Sequence, residues 1–106
     1  MSGKQYEVII SPEALTMFAE QVSFLARVSK SAAENLRLDF IAQVESLRQI
    51  PQRCPWLEGA YIPYRKYHKL IFSKQYAMVY QIVEEEQIVY IDFVIDFRKD
   101  YNLLFV

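Results

Sequence analysis

An α+β fold, with a helical hairpin on one face of a small antiparallel sheet, is what this sequence predicts. Apolar residues recur at helical spacing between Leu15 and Leu47, and from Tyr64 onward they give way to aromatic and β-branched runs of strand type. A short strand-like segment precedes both regions, so the order reads strand, two helices, three strands. At 106 residues the chain fits a single domain, 1–106, with one core. Its hydrophobic content of 53%, with eight Tyr and seven Phe, is ample for that core and far from the composition of disordered chains.

Each element has a local reason. Residues 4–10 (KQYEVII) read as a strand ended by Ser11 and Pro12. Ser11 is a suitable N-cap, Pro12 suits the first helical position, and Glu13 complements the positive end of the helix dipole. Leu15, Phe18, Val22 and Leu25 then form an apolar stripe that should be buried. Met17, Phe24 and Val28 fall off this stripe, so the helix is apolar on more than one face and is expected to bind a second partner there. Ser31 and Glu34 have the spacing of a capping box, which would start a second, antiparallel helix with Leu36, Phe40, Val44 and Leu47 on its core side. Pro51 and Pro55 end it, and the stretch Ile50 to Pro63 reads as an ordered loop in which Trp56 is a packing anchor.

Tyr64–Phe72, Tyr76–Val83 and Ile88–Phe97 read as the three strands of a meander, joined by Ser73-Lys74-Gln75 and by a turn over residues 84–87. Simple alternation in the last run puts Val89, Ile91, Phe93, Ile95 and Phe97 on the helix side, and Tyr90, Asp92, Val94 and Asp96 on the other, partly open side.

Composition excludes several functional classes. One cysteine, Cys54, allows no intrachain disulfide, and one histidine, His68, does not make a Cys/His zinc set, so no metal or cofactor is expected. The N-terminus lacks the apolar run of a signal peptide and no segment is long enough to span a membrane, which points to the cytoplasm. A net charge of −1 argues against bulk attraction to nucleic acid. Charge is nevertheless segregated: Arg65, Lys66, His68, Lys69 and Lys74 lie in an acid-free stretch, while Glu84, Glu85 and Glu86 form an acidic turn. The basic set is either a solvated strand face or a binding surface.

The order of elements, with EVIISPEAL at the start, ESLRQIPQRCP after the second helix, YRKYHKLIFSKQYAMVYQI in the middle strands and IDFVIDFRKDY at the end, resembles the RelE/ParE superfamily of bacterial toxins. The resemblance covers nearly the whole chain. It implies a toxin of a type II toxin–antitoxin pair, of the plasmid-stabilisation kind, held inactive by a cognate antitoxin that wraps it. RelE-like members cut mRNA in the ribosomal A site without a metal, whereas ParE-like members poison DNA gyrase. Cleavage would need a base, a cation for the developing phosphorane charge and an acid for the leaving oxygen. Carried over to this chain, those roles fall on Arg65, Lys69, Arg98 and Tyr101, with Lys66 and Lys99 beside them as binding groups. Two departures count against cleavage: Ala77 stands where many relatives carry an Arg, and Asp96 where many carry a His. The resemblance therefore implies a ParE-like toxin that acts by binding. A RelE-like nuclease, or a module that only binds antitoxin, are the alternatives.

Overall fold

The structure, a computed structural model, describes residues 5–98. Strand β1 (Glu7–Ile10) leads into helices α1 (Pro12–Ala26) and α2 (Lys30–Ser46). A single 3-10 turn at Pro51–Arg53 follows, and then strands β2 (His68–Phe72), β3 (Tyr76–Val83) and β4 (Ile88–Asp96) complete the domain. The strands form one sheet in the order β1-β4-β3-β2. The meander is antiparallel, and β1 lies parallel to the first half of β4, pairing Glu7 with Ile88 through to Ile10 with Ile91. The predicted α+β order thus holds, with tighter limits: β1 starts at Glu7, β2 starts at His68 after a turn, and β4 stops at Asp96.

Ser11 caps α1 as expected, its hydroxyl accepting from the Ala14 amide at 3.0 Å. The buried stripe is shifted, however: Ala14 and Phe18 are buried, Val22 and Leu25 pack against the core, and Leu15 is 49% exposed. Beyond Ile91, β4 has lost its strand neighbour, and α1 takes over that edge. The Ser11 hydroxyl donates to the Asp92 carbonyl at 3.0 Å and the Gln21 amide to the Val94 carbonyl at 2.9 Å. An open row of carbonyls is thereby partly satisfied by side chains of the helix.

The second cap is also corrected. Ser29, not Ser31, is the N-cap of α2, accepting from the Ala32 amide at 3.1 Å, and Glu34 pairs with Arg37 instead of closing a box. Replacing Ser29 by alanine should cost about 1 kcal/mol of stability, while Ser31→Ala should stay within about 0.5 kcal/mol. Urea unfolding of the two variants measures the difference; equal losses would overturn this assignment. Further along α2, Asp39 accepts from both the amide (2.9 Å) and the hydroxyl (2.8 Å) of Ser73. This tether fixes the β2–β3 turn, where Ser73 and Lys74 hold positive φ of 49° and 73° without being glycine.

The main core lies between helices and sheet. Phe18 stacks on Phe40 at 4.0 Å, and both rings tilt against Phe72. Leu36, Leu47, Leu70, Met78, Tyr80, Val89, Ile91 and Val94 complete it. A second, smaller core lies on the opposite face, where Leu57, Ile62 and Tyr67 of the long loop cover Ala77, Val79 and Ile95. That face is therefore largely closed by the loop, not open. The faces of β4 also differ from simple alternation. Between Val79↔Phe93 and Tyr80↔Ile91 the register shifts, leaving Asp92 as an extra residue on β4. This bulge reverses the side-chain alternation. Val89 and Ile91 face the helices as expected, but after Asp92 it is Val94 that does so, and Phe93, Ile95 and Phe97 join the second core.

Candidate functional site

Among the described residues, the predicted catalytic groups Arg65 and Arg98 lie at opposite ends of the sheet. Arg65 and Lys66 are exposed in the turn before β2, where Arg65 adopts φ 52°. Their cations lie over their neighbours' rings, Arg65 at 5.2 Å from the centre of Tyr64 and Lys66 at 5.3 Å from that of Tyr67. Lys69, one position on from the inward-facing His68, points to the other face of the sheet. Its ammonium sits 5.2 Å from the centre of the Phe97 ring.

Arg98 lies at the opposite end of the sheet from Arg65. Since β2 runs away from Arg65 toward Phe72, and Phe72 pairs with Tyr76, which pairs with Asp96, four residues of strand, roughly 13 Å, separate the two ends. Arg98 is also engaged: its Nε and terminal nitrogen donate to the two oxygens of Asp96 at 3.1 and 2.8 Å, and its backbone amide donates to the same carboxylate at 3.0 Å. The carboxylate raises the guanidinium pKa above its ordinary value. Lys99 and Tyr101 lie outside the described residues. Ala77, at the position where relatives carry an Arg, is fully buried under the loop.

The predicted partner-binding residues fall elsewhere. Met17 packs against the second core, whereas Phe24 and Val28 are 66% and 78% exposed. Met17 and Phe24 are seven residues apart and so share one sector of α1, with Val28 just past the end of the helix. Leu38 and Ile41 are also exposed on α2. The helical hairpin thus carries large apolar side chains facing solvent.

A further cluster was not anticipated. His68 is 6% exposed and sandwiched between Trp56 (4.0 Å, 25°) and Tyr80 (5.3 Å, 18°). Its Nδ1 lies 2.8 Å from the Cys54 carbonyl, which makes that nitrogen the N–H donor. Trp56 is held from the backbone side, because the 55–57 segment runs along β2: the Leu57 amide donates to the Tyr67 carbonyl at 2.7 Å and the Lys69 amide to the Pro55 carbonyl at 3.0 Å. Tyr80 donates to the Pro51 carbonyl at 2.7 Å, and burial, with the Cys54 side chain second, raises its phenol pKa well above the usual range. Beside this stack, Glu84 accepts from the Tyr6 hydroxyl at 2.7 Å and the Gln52 amide at 2.9 Å, contacts that hold its pKa below normal, Gln52 contributing most. Nothing in the spacing of residues 6, 52, 56, 68, 80 and 84 signals this arrangement in sequence; only the loop crossing over β2 creates it.

Among the described residues there is no group of three or more His, Cys, Asp or Glu placed to hold a metal ion, and no helix is long and apolar enough to cross a membrane. The strand, helical hairpin and meander have the element order of the RelE/ParE superfamily. The family model of the ParE toxin of type II toxin–antitoxin systems (parDE) matches residues 8–101, and the chain belongs to that family. No curated protein matches the chain.

Proposed function

We propose that this chain is a cytoplasmic toxin that acts by binding a cellular protein, DNA gyrase, and is neutralised by a cognate antitoxin that covers the apolar face of the helical hairpin. The dispersal of the candidate nuclease groups is the observation that carries this reading. Arg65 lies at one end of the sheet and Arg98 at the other, bound to Asp96. Concerted metal-free cleavage needs its base, acid and cation within hydrogen-bond reach of one phosphate, and the separation of Arg65 from Arg98 speaks against it. Binding, by contrast, requires only a complementary surface.

Two assays separate the readings. Purified toxin should inhibit supercoiling by gyrase, and it should leave mRNA intact on programmed ribosomes. Cleavage of mRNA without an effect on gyrase would establish the nuclease, and inactivity in both with retained antitoxin binding would reduce the chain to a binding module. For the antitoxin, Phe24 and Val28 are the expected anchors, since large apolar side chains left together in solvent mark a partner site. Replacing both by serine should weaken the complex by about 2 kcal/mol or more. Their exposure means that the stability of the free toxin should hardly change, within about 0.5 kcal/mol per site. Calorimetric titration checks the first quantity and urea unfolding the second.

A further inference from the structure

A cavity of about 450 Å³ opens beside the His68 stack, between the turn before β2, the segment around Gln52 to Trp56 and the end of β3. This volume lies in the range of small-ligand pockets. Three properties of its walls define what it can hold. The first is a rigid aromatic plate: Trp56 is 37% exposed, and it is fixed by its bridge to His68 and by stacking on that ring, itself anchored at Nδ1 and backed by Tyr80. A π face held in place in this way suits a flat ring, and base–aromatic stacking contributes about 1–3 kcal/mol per base. The second is a pair of cations, Arg65 and Lys66, neither of which forms an ion pair among the described residues. The third is a single carboxylate. Glu84 lines the same cavity from the turn after β3. Each of its oxygens already accepts one hydrogen bond, from Tyr6 or from Gln52, and an ionised carboxylate can accept about four in all.

The cavity is therefore bipolar: cationic where the 64–66 turn meets it, anionic at Glu84, with an aromatic wall. A plain polyanion would be repelled by Glu84, and a purely apolar group would leave two cations and a carboxylate unmatched. We propose that this cavity binds a nucleoside phosphate whose base carries an amino group, the base stacking on Trp56, its amino group donating to Glu84 and its phosphate held by Arg65 and Lys66. The ligand is either a free nucleotide or one unpaired nucleotide of a single strand. This site is independent of the target that the toxin poisons. It also lies apart from Lys69 and Arg98, so its occupation implies no cleavage.

Trp56 is the one tryptophan of the chain, so intrinsic fluorescence reports on this cavity directly. Purified full-length toxin is titrated with GMP, AMP, CMP and UMP, and separately with short unstructured oligonucleotides. Saturable quenching is expected with the three amino-bearing nucleotides at concentrations up to about 1 mM. UMP, which has no amino group for Glu84, should bind about tenfold more weakly. Arg65→Ala with Lys66→Ala should weaken all binding about tenfold or more, with the circular dichroism spectrum unchanged because both residues are exposed. Glu84→Gln should erode the discrimination against UMP. Quenching by mononucleotides identifies the free nucleotide as the ligand, and quenching by oligonucleotides alone identifies the strand; both support the site. Absence of saturable quenching with either, undiminished quenching in the double variant, or quenching by acidic peptides but not by nucleotides would each overturn it.

Discussion

Replacing Phe40 by alanine should lower the unfolding free energy by about 3–5 kcal/mol, the largest stability loss expected of any single side chain considered for this protein. Phe40 is 6% exposed and joins three elements at once, stacking on Phe18 of α1 and tilting against Phe72 of β2 at 5.8 Å. Its removal takes away the aromatic contacts and leaves a cavity between a helix pair and a sheet that cannot close on it without moving α2. The tether from Asp39 to Ser73 opposes such a movement, since it holds the adjacent turn of α2 against the β2–β3 loop. A domain of this size has a total stability of about 5–15 kcal/mol, so the variant should be close to unfolding at 37 °C. Urea denaturation should show a lower midpoint with an unchanged slope, because the surface exposed on unfolding is nearly the same. Leu38→Ala, on the solvent side of the same helix at 53% exposure, is the control and should cost far less. A small loss at Phe40, or an equal loss at Leu38, would show that the helices are not seated on the sheet as described.

The elements were legible in sequence because their signals are local. Ser11 and Pro12 start α1, the 3.6-residue spacing of Leu36, Phe40, Val44 and Leu47 marks the buried side of α2, and β3 ends where the glutamates begin. The failures occur where a non-local partner decides. Leu15 fits the helical stripe by spacing, yet the sheet lies nearer Ala14, so the smaller residue is buried and the larger is not. Ser29 and Ser31 are both acceptable caps, and the choice between them depends on where the hairpin turn brings the chain back. The faces of β4 were misread because a bulge is visible only in the register with β3. The position of β1 beside β4 likewise depends on pairing between the two ends of the chain.

The candidate site was less legible still. Basic residues close in sequence, Arg65, Lys66 and Lys69, divide between a turn and a strand: Arg65 and Lys66 stand in the turn before β2, and Lys69, within β2, lies over the Phe97 ring. Conversely Tyr6, Gln52, Trp56, His68 and Glu84, scattered over the chain, come together because the loop after α2 lies against the edge of β2. Sequence proximity and surface proximity coincide only within an element and on one face of it. Asp96 and Arg98 pair for this reason: residues two apart at the end of a strand share a face.

That pair carries the second large effect. Under the proposed function, Arg98→Ala should abolish most of the growth arrest expected of the toxin, corresponding to a loss of about 2 kcal/mol or more, roughly 30-fold, in affinity for its target. The guanidinium is 67% exposed while its carboxylate partner is 8% exposed, so Asp96 acts as a fixed anchor that presents the fork at the end of β4. The contacts to both Asp96 oxygens lock the side chain before any partner arrives, which reduces the entropy lost on binding. The outward-facing N–H groups then remain for a partner's carboxylate, which Arg recognises through a planar geometry that Lys lacks. Within the toxin itself the pair adds little, because solvent screens the exposed guanidinium. Stability and toxicity should therefore separate: Arg98→Ala unfolds at nearly the parental urea concentration but no longer arrests growth at matched soluble expression. Arg98→Lys should retain a minor part of the arrest, having the charge without the fork. Asp96→Asn keeps an acceptor but releases the guanidinium, and should fall between parent and Arg98→Ala. Undiminished arrest with Arg98→Ala would remove Arg98 from the target surface, and full activity with Arg98→Lys would reduce its role to charge alone.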